Sequence, residues 1–449
     1  MQPKRERPMI TGIRVEKLFY EFTYEISPDA SIMSETSNLL LLYGNNGSGK
    51  TTILNVLYHL LDPEPYGGHR TFVGKTPFQK FEVRTSLGYT VSAIRQPDVI
   101  TGPYELRVTE DNGGIVGSYI WEPKSGREGG ASEREYDKIC QALASLKLSF
   151  HYLRDSRRVE SGSQNKRVID ERARIDARMH RYYFQSAELD LAHEGVLDST
   201  DELLLASLSE TVDWIRTRSI SSTNDGYTNV NTVYLNVIKR ITSKMGKSIS
   251  SIADLADMLR DLAKENEAFS RFGLTPPIEV DNLTRELEMG DPSDLEALNA
   301  IIGPYIEGHT ARLEALNELR GVIQNFVSTL EEFYEGKKVK YDIRGGIEFY
   351  SKSGHKIEPT ELSSGERQLL LLFCNAIISR DHRTILIIDE PEISLNVKWQ
   401  RSLIPALLRC LEGTEYQLLI ATHSVEILSQ YRSQVHPLRD HGSINLEHK

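Results

Sequence analysis

The hydrophobic and polar positions divide the chain into stretches of different period. Ile13, Val15 and Leu18, then Phe22, Tyr24 and Ile26, alternate as in half-buried strands. Residues 39–43 are apolar without a break and predict a strand buried on both faces. A helix is expected over 52–61. Residues 81–94 and 104–121 read as antiparallel hairpins, with Asp111-Asn112-Gly113-Gly114 as a tight turn, and 148–153 as a further buried strand. From 156 to 335 the strand signals vanish. Leu316, Leu319, Ile323, Phe326, Leu330 and Phe333 recur at spacings of three and four, which places an apolar seam on one helix face. A helix of about thirty residues would span roughly 45 Å, so a compact helical lobe is expected rather than a long coiled coil. Strands return after 336, with Val339, Tyr341 and Ile343 alternating before the Gly345-Gly346 turn and Ile347 and Phe349 after it. A helix follows Ser363-Ser364-Gly365, and buried strands at 384–388 and 417–420 are joined by a helix at 397–411. Strand, helix, strand without a hairpin implies parallel pairing. The tail, 435–449, is polar and reads as irregular.

At 449 residues the chain has room for two or three domains, and 26% charged residues is the balance of an ordinary globular protein. No apolar run approaches the ~18 residues of a membrane span. The N-terminus, MQPKRERPMI, leads into no apolar segment, so a cytoplasmic protein with no membrane partner is expected. Cys140, Cys374 and Cys410 are scattered and suggest neither a disulfide framework nor a zinc site. A formal charge of -11 argues against a protein that coats nucleic acid. The densest basic stretch, 154–181, interleaves Arg157, Arg158, Lys166, Arg167, Arg172, Arg174 and Arg178 with Asp155, Glu160, Asp170, Glu171 and Asp176. A solvated, ion-paired helix accounts for that mixing, and direct nucleic-acid binding stays open as the other reading.

Three segments carry chemistry. Gly44-Asn45-Asn46-Gly47-Ser48-Gly49-Lys50-Thr51, followed by Thr52, fits the G-x-x-x-x-G-K-[ST] phosphate loop. Its glycines let backbone N–H groups turn inward around phosphates, helped by the positive end of the next helix. Lys50 would reach the β- and γ-phosphates, and the Thr51 hydroxyl would ligate magnesium. Ile385-Leu386-Ile387-Ile388-Asp389-Glu390 is an apolar strand ending in two acids, which delivers both to the carboxyl edge of a parallel sheet. Asp389 would hold magnesium, and Glu390 would activate the attacking water. Leu362-Ser363-Ser364-Gly365-Glu366 opens a helix; read alone it is a helix cap, and it can also bind an anion by the physics of a helix end.

In this order the motifs resemble those of ABC-type ATPases, with a signature in the serine- and glutamate-containing form of SMC-like and recombination-repair heads. The resemblance covers roughly 1–150 and 336–430. It implies an α/β fold: an ATPase head with a mixed sheet, an antiparallel β subdomain and an inserted helical lobe. The expected domains are 1–155 and 336–449 as the two parts of the head, with 156–335 as the lobe. It implies ATP and Mg²⁺ as cofactors, and Ser363, Ser364, Gly365 and Glu366 facing the γ-phosphate held by an opposite head. Pro391-Glu392-Ile393-Ser394-Leu395-Asn396 resembles the D-loop on the dimer seam, although relatives carry His or Asp where this chain has Asn396. Ala421-Thr422-His423-Ser424 resembles the switch region, in which His423 bonds the γ-phosphate. Gln164 is the candidate for the Q-loop, and Tyr20 or Phe22 for stacking on adenine.

The wording DEPEISLNVKWQ with LSSGERQ and ATHS is most similar to the compact ATPases of bacterial anti-phage systems. These include relatives of the overcoming-lysogenization-defect ATPases and the ATPase subunits of Septu and PARIS, and the length and compact middle favour the PARIS type. That resemblance implies a homodimer of heads or a higher homo-oligomer. It would sense a phage-derived trigger and control a separate effector nuclease of the toprim or HNH type. The alternative is an SMC-like ATPase that repairs or organises DNA.

Overall fold

The computed structural model describes residues 9–27, 38–65, 67–123, 133–153, 159–161, 199–226, 238, 251–381 and 384–438. The basic stretch at 162–181 and Gln164 lie outside them. The chain groups into two compact units, Met1–Leu203 with Ser379–Lys449, and Leu204–Ile378.

The first unit is built on two sheets. The antiparallel sheet runs in the order β2-β1-β4-β5-β6-β7, from β1 (Ile10–Leu18), β2 (Phe22–Ile26), β4 (Lys80–Thr85), β5 (Tyr89–Ile94), β6 (Tyr104–Glu110) and β7 (Ile115–Trp121). In β4, buried residues alternate with half-buried ones, as expected of a sheet covered on one face. The other sheet has the order β15-β3-β14-β13-β8-β9. Its members are β3 (Leu39–Tyr43), β8 (Ser149–Leu153), β9 (Val159–Ser161), β13 (Thr384–Asp389), β14 (Tyr416–Thr422) and β15 (Val435–Pro437). All six residues of β13 are buried, the signature of a central strand covered on both faces.

Helix α1 (Lys50–Leu61) lies between the sheets, touching β13 and β14 on one side and β5 on the other. Ile53, Leu54 and Leu57 join Leu40, Phe81, Val91, Phe150, Ile387 and Leu419 in one buried core. A side-chain amide also ties the sheets together. Gln417 accepts from the Ile10 N–H at 2.8 Å and donates to the Ile10 carbonyl at 2.8 Å, as a strand neighbour would. Helix α2 (His69–Lys75) follows α1, and α3 (Glu133–Ser145) packs on β7.

The second unit holds helices α4 (Ser199–Gly226, whose first residues belong to the first unit), α5 (Ile252–Ser270), α6 (Asp281–Glu288) and α7 (Leu295–Phe333). A three-stranded antiparallel sheet follows, made of β10 (Lys337–Asp342), β11 (Gly346–Ser351) and β12 (Lys356–Ile357), and then helix α8 (Ser364–Ile378). The seam from Leu316 to Phe333 is buried throughout, so its periodicity marks a core face. The chain then returns to the first unit, where α9 (Val397–Leu411) links β13 to β14.

Four local readings change. Residues 435–437 form a parallel edge strand on β3, with Val435 opposite Leu41 and Pro437 opposite Tyr43. So short a strand has no period to detect, and an edge tolerates proline. β9 pairs antiparallel with β8 inside a stretch expected to lack strands. Helix α7 is 39 residues, about 59 Å at 1.5 Å per residue, and continues through Pro304 where the local pattern breaks. Helices α2 and α3 are absent from the sequence reading; α2 is only about two turns long, too brief for a strong period, whereas α3 is as long as α1 and was passed over.

Candidate functional site

The phosphate-loop segment lies between β3 and α1. Gly47 and Gly49 take φ values of 83° and 86°, the left-handed region that glycine enters at no steric cost. Gly49 also leaves no room for a side chain, because a Cβ there would meet Leu18 Cδ2 at 2.7 Å. Gly44 is equally tight, with Ser48 Oγ 2.4 Å from where its Cβ would be. Asn45, Asn46 and Gly47 are exposed, so the crest of the loop is open to a ligand. Thr51 and Thr52 are half-buried in the first turn of α1. The Tyr24 hydroxyl donates to the Ser48 carbonyl at 3.0 Å, a brace from β2.

Lys50 is 4% exposed. Its Nζ donates to the Gly44 carbonyl at 2.8 Å and the Asn45 carbonyl at 3.1 Å, which folds the side chain back over its own loop. Glu390 Oε1 lies 3.8 Å from the same nitrogen.

Sheet register aligns the remaining groups. Tyr43 is opposite Thr422, and Asp389 is opposite Ala421, so β3, β14 and β13 end level at their carboxyl edge. The residues just past those ends are Gly44, His423 and Glu390. Asp389 itself is buried at the end of β13. Glu390 has φ 47°, which costs a non-glycine residue roughly 1 kcal/mol or more. Its N–H donates to the Ala421 carbonyl at 2.9 Å, which holds that turn against β14. His423 Nδ1 lies 3.7 Å from Glu390 Oε1 and 3.1 Å from Glu392 Oε1. Thus Lys50, Glu390 and His423 come together, with Asp389 directly before Glu390 at the end of β13. Asn396 accepts from the Trp399 N–H at 2.9 Å and caps α9, which is the local work its side chain does. Of the adenine candidates, Tyr20 is exposed, while the Phe22 ring stacks on Tyr24 at 5.7 Å.

In the second unit, Ser363 and Glu366 form a capping box at the start of α8. The Ser363 N–H and hydroxyl both donate to Glu366 Oε2 at 2.8 Å, and the Glu366 N–H donates to Ser363 Oγ at 3.4 Å. Burial alone would raise the Glu366 pKa. Its ion pair with Lys337 and the two Ser363 donors outweigh that and hold the carboxyl below its usual value. Ser363 and Ser364 are exposed, whereas Gly365 is buried. Tyr334, just past α7, donates its hydroxyl to the Glu366 carbonyl at 2.7 Å, so the end of the long helix braces this turn.

The phosphate-loop residues fit a triphosphate. The left-handed glycines turn the backbone, the cationic Lys50 is held at the loop, and among the described residues Ser48 Oγ is buried without a hydrogen-bond partner. Sequence reasoning passed over Glu392 except as part of the D-loop-like segment. An acid three residues past a strand carries no recognisable spacing, and its partners lie at and just beyond the end of another strand, β14.

A family model described as "ABC transporter" matches residues 29–175, and one described as "AAA domain, putative AbiEii toxin, Type IV TA system" matches residues 252–429. No curated protein matches the chain significantly. Similar solved structures include the Smc head domain with an extended coiled coil, bound to the C-terminal domain of ScpA, from Pyrococcus furiosus. It is 13% identical, with 96% of this chain and 94% of that chain covered and a TM-score of 0.36. The SMC head domain from Thermotoga maritima is 10% identical over 96% and 94%, with a TM-score of 0.32. The two family matches support an ABC-type ATPase, and the fold is the mixed α/β kind, with one antiparallel sheet beside a largely parallel one. Among the described residues no helix is long and apolar enough to cross a membrane.

Proposed function

We propose that the chain is an ATP-hydrolysing switch whose sites are completed when two copies meet, and that it controls a separate effector nuclease in a bacterial anti-phage system. The observation that carries the catalytic part is the meeting of Lys50, Glu390 and His423 at the carboxyl edge of one parallel sheet. That edge is where ligands bind in open α/β sheets. In this reading the N–H groups of the Gly44–Thr52 loop and Lys50 bind the β- and γ-phosphates. Thr51 and Asp389 hold Mg²⁺, which when bound offsets the phosphate charge. Glu390 takes the proton of the attacking water, and His423 contacts the γ-phosphate. The start of α8, Ser363 to Glu366, with Ser363 and Ser364 exposed, presents its helix end to the nucleotide of a second copy.

The C-terminal family match supports the defence part, since its description names a toxin of a toxin–antitoxin system. A homodimer of heads at minimum, a cytoplasmic location, a phage-derived trigger and a toprim or HNH effector belong to the same reading.

The test is nucleotide-dependent pairing, followed by light scattering with Mg-ATP. Glu390→Gln should bind ATP, turn over about 100-fold slower or worse, and accumulate as paired chains. Adding Ser363→Arg should abolish pairing and leave ATP binding in place. Lys50→Ala should lose ATP binding. Pairing that survives Ser363→Arg overturns the shared site, and ATP affinity that survives Lys50→Ala overturns the phosphate loop.

A further inference from the structure

Glu392 is buried, and a single oxygen of its carboxylate gathers the start of the loop after β14. Oε1 accepts from the Thr422 hydroxyl at 2.6 Å, the His423 N–H at 2.8 Å and the Ser424 N–H at 3.2 Å. The same oxygen lies 3.1 Å from His423 Nδ1. Three consecutive residues are therefore held by one acid from the turn after β13. That turn is itself closed by the Ile393 N–H donating to the Glu390 carbonyl at 3.2 Å and the Leu395 N–H donating to the Glu392 carbonyl at 3.0 Å. A second link runs beside it. Gln400 donates to the Leu395 carbonyl at 2.9 Å and accepts from the Ser424 hydroxyl at 2.7 Å.

Capping the backbone would need only a neutral acceptor. Placing a carboxylate against a ring nitrogen does more, because it selects the tautomer. The carboxylates that reach the ring are Glu392 at 3.1 Å and Glu390 at 3.7 Å, both on the Nδ1 side, with Lys50 beyond Glu390. A hydrogen on Nδ1 is stabilised by both carboxylates, whereas a lone pair there would face two negative oxygens. Nε2 is then the nitrogen left for the reacting end of a nucleotide.

We infer that Glu392 is a positioning residue, which sets both the orientation of the His423 ring and the nitrogen that carries its proton. This rests on the ATPase reading for its consequence in turnover, but the tautomer itself does not depend on hydrolysis. It also makes the turn bearing Glu390 and the turn bearing His423 one mechanical piece, so that movement of either is felt by the other.

The experiment has two arms. The first is ¹⁵N NMR of the full-length wild-type chain with labelled histidine, with the signal of His423 assigned by its loss in His423→Gln, at a pH where the ring is neutral. The Nδ1–H form is expected, the minority form in free imidazole side chains. A majority Nε2–H form in the wild-type chain overturns the inference. The second arm is Glu392→Gln, which keeps an acceptor for the backbone donors but removes the charge. The Nδ1–H population should fall, and kcat should drop at least about tenfold, the scale on which a carboxylate orients a working ring, with KM within about threefold. An unchanged tautomer or an unchanged kcat in a folded, ATP-binding variant overturns it. Failure of the ATPase reading would look different: no turnover in wild type while the NMR result still stands.

Discussion

Ser363 and Glu366 illustrate how one pair of side chains can serve a helix end in two ways. Glu366 satisfies the Ser363 N–H and hydroxyl, and Lys337 keeps the buried acid ionised. Because its folded pKa is depressed, Glu366 contributes stability that is fully present above the ordinary glutamate value of 4.5 and is lost as pH falls through the lower folded value. The stability gap between wild type and Glu366→Gln, read as urea midpoints, should therefore narrow as pH is taken from 7 to below 4.5. A gap that stays constant would mean the charge contributes nothing there. The identity of these residues was legible, since Ser-x-x-Glu before an apolar run is a known helix start. The Lys337 partner was not, because it arrives from β10, 29 residues earlier in the chain.

At the scale of elements, the parallel strands are the strongest case of sequence specifying structure. Unbroken apolar runs such as Ile385 to Ile388 can be satisfied only by burial on both faces. Ile387 is fully buried in the core between the sheets. Ile387→Ala should cost about 2–5 kcal/mol, seen as a lowered melting temperature. Ile120→Ala, on the exposed face of β7, should stay within about 0.5 kcal/mol. Equal losses at the two sites would refute the burial of Ile387 in that core. The long helix α7 was legible only in its second half, where the seam is regular. Its first half runs through Gly303-Pro304, which local propensity reads as a break and tertiary packing overrides.

For the whole molecule, the parallel sheet draws β3 and β8 from the first part of the chain and β13, β14 and β15 from the last. The phosphate loop, the acid pair and His423 are thus assembled from both ends, while in sequence the second unit, 204–378, which carries Ser363 to Glu366, falls between them. The net charge of -11 bears on partners at this scale, since it gives the chain as a whole no electrostatic drive toward duplex DNA. Under the proposed effector control, ATP turnover should be insensitive to added duplex, and the chain should co-purify in an ATP-dependent manner with a separate nuclease expressed alongside it. Turnover stimulated by duplex, with binding that weakens steeply with salt, would favour a DNA-organising ATPase instead.

Residue identity at short spacing determined the glycine-turned loop, the acid pair after an aliphatic run and the serine-led helix start, because each is a local solution to a local problem of dihedral angle, burial or capping. The adjacency of Lys50, Glu390, Glu392 and His423 was decided only by strand order and register, which bring separate strand ends level at one edge. No local period encodes which strands will be neighbours. That choice is made by the packing of two sheets around α1, and the contacts of Glu392 follow from it.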